Sequence, residues 1–339
     1  LFIYNSLKER NEKMSERPKA KYTNEDLKIM QNWSLERKIQ VSLTRISEFG
    51  LKMENKIYTS FSGGKDSTVL LDLVRRVFPD SPAVFVDTGL EYPELREFVK
   101  TVDNVVWLKP EMNFKRVIKE CGYPIISKEV SKMVETAKHK PDGRVAQLFD
   151  INSDRVREKT KKYGKNWGET YIKYQYLLDA PFKISNRCCD IMKKKPSKQY
   201  TKETGTYPFI GTMACESRMR KNGWLQTGCN IFDGDRPKSM PLSFWTEQDI
   251  LHYIKEFGLE YAPIYGEIKQ NERGEYYTTG VDRSGCMFCV FGCHLEKEPN
   301  RFQRLKETHP KIWEFCMKPT DKGGLGMKEV LDYINVPYE

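Results

Sequence analysis

Ile57-Tyr58-Thr59-Ser60-Phe61-Ser62-Gly63-Gly64-Lys65-Asp66-Ser67 places a strand, a glycine turn and a helix start in one short run. Ile57 to Phe61 reads as a short buried strand, rich in β-formers and closed by Ser-Gly-Gly. Asp66-Ser67 then opens a helix whose apolar positions Val69, Leu70, Leu73, Val74 and Val77 recur at helical spacing. The two glycines let the backbone turn sharply and approach a ligand closely. Unpaired amides at the helix start, its positive dipole end and Lys65 together favour an anion such as phosphate or sulfate. The spacing is not G-x-x-x-x-G-K-[ST], which excludes a Walker A loop. An ordinary β-turn ahead of a core helix is the plain alternative.

Outward from this run, strands and helices alternate. Strands are expected at Ala83–Val86 and Val105–Leu108, with helices from Pro93 and from Asn113. Such alternation predicts βαβ units and a doubly wound, mainly parallel sheet of the α/β class. In sheets of this kind ligands bind beyond the carboxyl ends of strands. Ser62–Ser67 and Asp87-Thr88-Gly89 both lie at such ends and are expected to face one pocket. Ahead of the first strand, Leu27, Ile29, Met30, Trp33, Leu35, Ile39, Leu43 and Ile46 predict one or two helices, with Asn24 as cap and Gly50 as stop. Residues 1–22 read as a flexible basic arm, and the opening Leu suggests a missing first Met or a start nearer Met14. The expected division is thus an arm at 1–22, a helical segment at 23–50, a nucleotide-binding domain at 51–270 with a helical insertion around 122–180, and a cysteine-rich segment with C-terminal helices at 271–339. In the insertion, Tyr163, Trp167, Tyr171, Tyr174 and Tyr176 stand among lysines, a mixture that suits either a surface helix or stacked bases. Pro208–Gly211 resumes a strand. Thr246 and Asp249 then cap a helix that buries Ile250, Ile254 and Phe257, with Trp245 either packed or touching ligand.

The chain has 339 residues, of which 39% are hydrophobic and 12% aromatic, enough for a sizeable core and against global disorder. No apolar run approaches the ~18 residues of a membrane span and no signal-peptide core opens the chain, so no membrane partner and a cytoplasmic location are expected. Nine cysteines then read as thiols, metal ligands or catalytic groups rather than disulfides. Lys and Arg outnumber Asp and Glu by 57 to 47, and the resulting positive field favours nucleotides, sulfonucleotides or nucleic acid as partners.

Ser62-Gly63-Gly64-Lys65-Asp66-Ser67 resembles the pyrophosphate-binding PP-loop of the adenine nucleotide α-hydrolase superfamily. The run Val84 to Glu94, with Asp87-Thr88-Gly89 and Pro93-Glu94, is similar to the phosphoadenosine phosphosulfate (PAPS) reductase version of that superfamily. Gly211 to Arg220 resembles that family's Gly-x-x-x-x-(Glu/Gln)-Ser-x-x-Arg segment. The resemblance implies nucleotide contacts from Ser62 to Ser67, from Asp87, Thr88 and Gly89, and from Glu216, Ser217, Arg218 and Arg220, with Lys65 and Asp66 as catalytic candidates. Arg187, Lys193 and Lys194 would neutralise sulfate or phosphate charge.

Gly285-Cys286-Met287-Phe288-Cys289-Val290-Phe291-Gly292-Cys293-His294 is a C-x2-C-x3-C cluster, and Cys188-Cys189 lies nearly a hundred residues before it. Three thiolates bent round one point plus a distant cysteine suit zinc or an iron–sulfur centre, which spacing does not distinguish. The pairing is similar to adenylyl-sulfate (APS) reductases, which hold a 4Fe–4S cluster, and so implies Cys188, Cys189, Cys286 and Cys289 as ligands. Cys293 is a fifth candidate: adjacent cysteines diverge unless the backbone kinks, which makes Cys189, Cys286, Cys289 and Cys293 the sterically easier set. Cys121, Cys215, Cys229 and Cys316 are expected to be buried small hydrophobes, and His294 to lie beside the cluster without ligating it.

Two reactions share the implied pocket. One is reduction of APS or PAPS, with a thiolate attacking sulfate sulfur. Family reductases carry that thiol in a C-terminal Glu-Cys-Gly-x-His segment that the end of this chain does not show, Cys316 being its last cysteine. The other is ATP- and Mg-dependent adenylation followed by sulfur insertion, as in DNA phosphorothioation or tRNA thiolation, with a redox or sulfur-donor protein as partner. A third reading is a non-catalytic nucleotide or nucleic-acid module with a structural metal.

Overall fold

The structure, a computed structural model, describes residues 20–339. The expected arm falls almost wholly outside those residues, although Tyr22 is described and stacks on Trp224 with ring centroids 4.7 Å apart. Helices α1 (Asn24–Gln31) and α2 (Leu35–Lys52) lead into β1 (Ile57–Ser60), α3 (Lys65–Val77), β2 (Ala83–Val86), α4 (Pro93–Thr101), β3 (Val105–Leu108) and α5 (Phe114–Glu120). Then come β4 (Ile125–Ile126), α6 (Lys128–His139), α7 (Asp154–Tyr163), α8 (Lys195–Thr204), β5 (Tyr207–Ile210), α9 (Arg218–Thr227), β6 (Asn230–Ile231), β7 (Lys238–Ser239) and α10 (Glu247–Phe257). The chain ends in β8 (Ile268–Gln270), β9 (Tyr276–Thr278), β10 (Val290–Phe291), α11 (Arg301–Thr308), α12 (Pro310–Met317) and α13 (Met327–Tyr333).

Two compact units share the chain. The first is built from residues 20–85, 93–107 and 200–283, the second from 86–92, 108–199 and 284–339. The first unit carries a sheet in the order β3-β2-β1-β5-β7-β6. There β1 pairs parallel with both β2 and β5, β5 is parallel to β7, and β6 is an antiparallel edge. Strand order reverses between β1 and β5, so the crevice beyond their carboxyl ends is the topological switch point where such sheets bind ligands. Helix α3 packs here through Val69, Leu70, Leu73 and Val74, all fully buried, each contributing about 1.5–3 kcal/mol.

Local readings shift where tertiary contacts decide. Thr23, not Asn24, caps α1, its hydroxyl accepting from Asp26 N–H while the Asp26 carboxylate accepts the Thr23 N–H. Gly50 does not stop α2, which continues to Lys52. A Cβ at Gly50 would stand 2.2 Å from the Phe78 ring, so glycine is there to admit that ring. Ile29 is exposed, and Phe257 lies under Arg76 (4.4 Å to the ring centroid) instead of in the core. Trp245 is fully buried and donates to Ser42 Oγ at 2.9 Å, which makes it packing. The insertion has a core of its own in the second unit: Val130, Val134, Leu148, Phe149 and Val156 are buried.

Lys38 gave no signal in the sequence. Its side chain is buried, and its ammonium donates to Gln31 O at 2.7 Å and to Asp249 Oδ2 at 2.6 Å. Lys38→Met is expected to lower unfolding free energy by about 3–5 kcal/mol, since it leaves the Asp249 charge without its partner; urea denaturation reads it.

Candidate functional site

In the first unit the chain leaves β1 through Phe61 and Ser62, turns at Gly63 (φ +72°) and enters α3 after Gly64. Helices α3 and α4 leave no room for a side chain at Gly63: a Cβ would lie 2.8 Å from both Leu95 Cδ2 and Val99 Cγ2. Serines brace the loop from inside. Ser67 Oγ accepts the Ser62 N–H at 3.1 Å and donates to Gly64 O at 2.9 Å. Ser62 Oγ accepts the Gly64 N–H at 3.3 Å. Gly64 gives no side-chain cap, so no cap side chain takes up the first amides of α3.

Lys65 is buried within this frame. Its ammonium stands 3.0 Å from Glu247 Oε1 and 5.0 Å from the Tyr265 ring centroid. Burial pushes the Asp66 carboxyl above its ordinary pKa, against the pull of Lys65. β5 brings Gly211 alongside, where a Cβ would meet Asp66 O at 3.2 Å. Ser217 Oγ caps α9 by accepting the Arg220 N–H at 3.3 Å, and the Arg220 guanidinium pairs with Glu216. Arg218 is exposed. Cys215, expected to be a buried hydrophobe, is exposed instead, with its thiol on Trp245 O at 3.5 Å. Cys121 is only half buried, whereas Cys229 and Cys316 are buried as expected.

The second unit gathers the other motifs. Asp87, Thr88 and Gly89 form a turn closed by Glu91, whose carboxylate accepts from Thr88 Oγ1 at 2.7 Å and from Thr88 N–H at 3.1 Å. The same carboxylate lies 3.7 Å from Lys193 Nζ. Met287 N–H donates to Leu90 O at 2.8 Å, which ties the turn to the cysteine loop. β10 pairs in parallel with β4, and Arg301 Nη1 donates to Cys289 O at 2.8 Å, so the loop is held from both sides.

Cys188, Cys189, Cys286, Cys289 and Lys193 line one cavity, together with apolar groups such as Leu90, Phe114 and Phe288. Cys293 is buried but stands outside that lining. The adjacent pair reaches the cavity together because Cys188 and Cys189 are helical and run into a π-helical turn, Asp190–Lys194. Neighbours on a helix differ by ~100°, not by the half-turn of a strand; their sulfurs are 4.0 Å apart.

Charge in the cavity is uneven. The Cys188 thiol donates to Cys189, which with Lys128 and Lys193 lowers the Cys189 pKa, while Cys188 is raised. Burial pushes Cys286 up to about 11 and raises Cys289. Desolvation opposes the Lys193 ammonium, yet Cys286 and Glu91 outweigh it and hold its pKa high. Of the other expected anion contacts, Lys194 pairs with Asp190 at 2.7 Å and Arg187 lies 4.0 Å from Glu135, both on exposed surface.

Among the described residues no group of three or more His, Cys, Asp or Glu is placed to hold a metal ion as it stands. Four thiols lining one cavity are a donor set that either a sulfur-ligated cluster or a zinc ion would take, and the Cys188–Cys189 sulfur separation of 4.0 Å does not separate the two.

Residues 56–140 and 127–290 match the phosphoadenosine phosphosulfate reductase domain family. The chain belongs to this family. It is 26% identical over 301 residues to an uncharacterised protein of Methanocaldococcus jannaschii, covering 86% of this chain and 54% of that one. It is 25% identical over 209 residues to sulfate adenylyltransferase subunit 2 of Hyphomonas neptunium, covering 60% of this chain and 54% of that one. It is 24% identical over 219 residues to adenosine 5'-phosphosulfate reductase of Staphylococcus epidermidis, covering 63% of this chain and 67% of that one. The chain spans about half the length of the two Methanocaldococcus jannaschii relatives it matches.

Within the matched region of this PAPS reductase family member, sequence reasoning missed Glu91, Lys128, Glu247 and Tyr265. Glu91 and Glu247 sit inside recognised stretches and answer Lys193 and Lys65 across long sequence separations. Lys128 and Tyr265 carry no local pattern.

Proposed function

We propose that this protein is an enzyme of sulfur metabolism that binds an adenine nucleotide or sulfonucleotide at Ser62–Ser67 and holds a 4Fe–4S cluster on Cys188, Cys189, Cys286 and Cys289. The observation that carries the reading is the single cavity lined by those four thiols and Lys193, with Lys193 linked to Glu91 of the strand-end turn. Membership of the PAPS reductase family supports it. Amides at the start of α3, Lys65 and Arg220 would neutralise the anionic tail of the ligand. Lys193 offsets thiolate charge in the cavity. When bound, a cluster supplies a fixed charge in a dry, apolar setting.

In sulfonucleotide reduction, a thiolate of the reductant attacks the sulfate sulfur. The S–O bond to phosphate breaks, and the nucleotide leaves as AMP or its 3'-phosphate. A second thiolate attacks the first thiol's sulfur and releases sulfite; two thiols become one disulfide and give up two protons.

Oxygen-free protein supplied with APS or PAPS and dithiothreitol is expected to yield sulfite at a rate that depends on Lys65. The competing ATP reading predicts pyrophosphate from ATP and Mg²⁺ instead, stimulated by a nucleic-acid acceptor. One observation favours that second reading: Tyr163 and Trp167 are exposed among the exposed lysines 161, 162 and 165, a surface suited to stacking bases. Neither sulfite nor pyrophosphate from fully loaded protein would overturn both.

A further inference from the structure

Two cations beside the nucleotide loop, Lys65 and Arg220, are engaged by carboxylates of the chain itself, but the two carboxylates are held differently. Glu216 is fixed: its side chain is 13% exposed, and Oε2 accepts the Met213 N–H at 2.8 Å while pairing with Arg220. Glu247 has no such anchor. It is 54% exposed and begins α10, whose cap is made by Thr246 and Asp249 without it. Among the described residues its hydrogen-bonding partner is Lys65.

Lys65 is the reverse case. Its side chain is 5% exposed and lies against Tyr265, so the ammonium stays where it is while the carboxylate is free to swing into water. An anion arriving at the start of α3 therefore meets a lysine whose charge is already paired. We propose that Glu247 is a displaceable counter-ion. It yields Lys65 to the ligand's phosphate or sulfate oxygens, lowers the loop's affinity by the strength of the pair it gives up, and reclaims Lys65 as the anion leaves. The carboxylate thereby works as a positioning residue for release. This rests on the anion-binding reading of the loop made above.

The pair is half exposed, so its worth is modest and salt-dependent. Glu247→Gln is expected to bind inorganic pyrophosphate about 2- to 5-fold more tightly than the parent chain at low salt, with the gain mainly in a slower off-rate. A gain of affinity is a result that damage to the fold does not produce. Lys65→Met should weaken pyrophosphate binding, and Lys65→Met/Glu247→Gln should show none of the gain. Titration calorimetry and stopped-flow release on the full chain, purified without oxygen, read both quantities.

Unchanged or weaker binding by Glu247→Gln, with Lys65→Met still weakened, overturns the counter-ion role alone. Equal binding by the parent and Lys65→Met overturns the loop reading, and the counter-ion role falls with it. Tighter binding that survives in the double variant overturns the assignment of Lys65 as the residue Glu247 releases.

Discussion

Chain purified without oxygen is expected to be brown, with about four iron and four sulfide per polypeptide, and Cys286→Ser to abolish the colour. The expectation follows from donor chemistry. Four thiols line one cavity whose remaining lining is apolar apart from Lys193. Cys286 is raised by burial, so its thiol is costly to ionise unless a metal centre takes the proton's place. Serine keeps the volume and loses the soft donor. Cys293→Ser separates the two candidate sets, since Cys293 stands outside the lining and its loss should leave iron content unchanged. Where ligands are shared between the Cys188–Cys189 helix and the loop carrying β10, loss of the centre should also loosen that unit, seen as faster proteolysis between residues 284 and 300. Zinc in place of iron and sulfide, or iron retained by Cys286→Ser, would reject this assignment.

How far the sequence could be read depended on whether the deciding interaction was local. β2 and β3 were legible to the residue because each is an apolar run bounded by turn formers. The capping box of α10 was legible because Thr246 and Asp249 answer each other three residues apart. Gly50 was misread as a helix stop because its reason is a ring from a residue far along the chain, and no local pattern reports that. Cysteine geometry depended on a backbone turn that spacing does not report. Adjacent side chains diverge on extended backbone, whereas Cys188 and Cys189 lie on a helical turn and both line one cavity. Cys215 looked like filler because burial is the usual fate of an unpaired cysteine, yet it follows β5 on an exposed turn. Interleaving was illegible altogether. The segment 86–92 belongs with residues 108–199 and 284–339, a grouping set by long-range contacts.

Gly63→Ala should lower stability by about 2–5 kcal/mol and weaken pyrophosphate binding at least tenfold. Two separate costs add. At φ +72° an alanine carries the left-handed penalty of roughly 1–2 kcal/mol. Its methyl group would also stand 2.8 Å from Leu95 Cδ2 and Val99 Cγ2, and overpacking of that kind costs about 1–3 kcal/mol. Leu95 and Val99 are fully buried on α4 and have no room to retreat, so relief comes from the loop. A shifted loop breaks the Ser62–Ser67 brace and displaces the uncapped first turn of α3. Gly89→Ala is the matched comparison. It has φ +71° and nothing within 4 Å of its Cβ, so it should show the backbone penalty without the packing cost. Equal destabilisation of the two variants in urea would show that the contact with α4 is not what fixes the loop. Full pyrophosphate affinity in Gly63→Ala would show that the cradle does not depend on that turn.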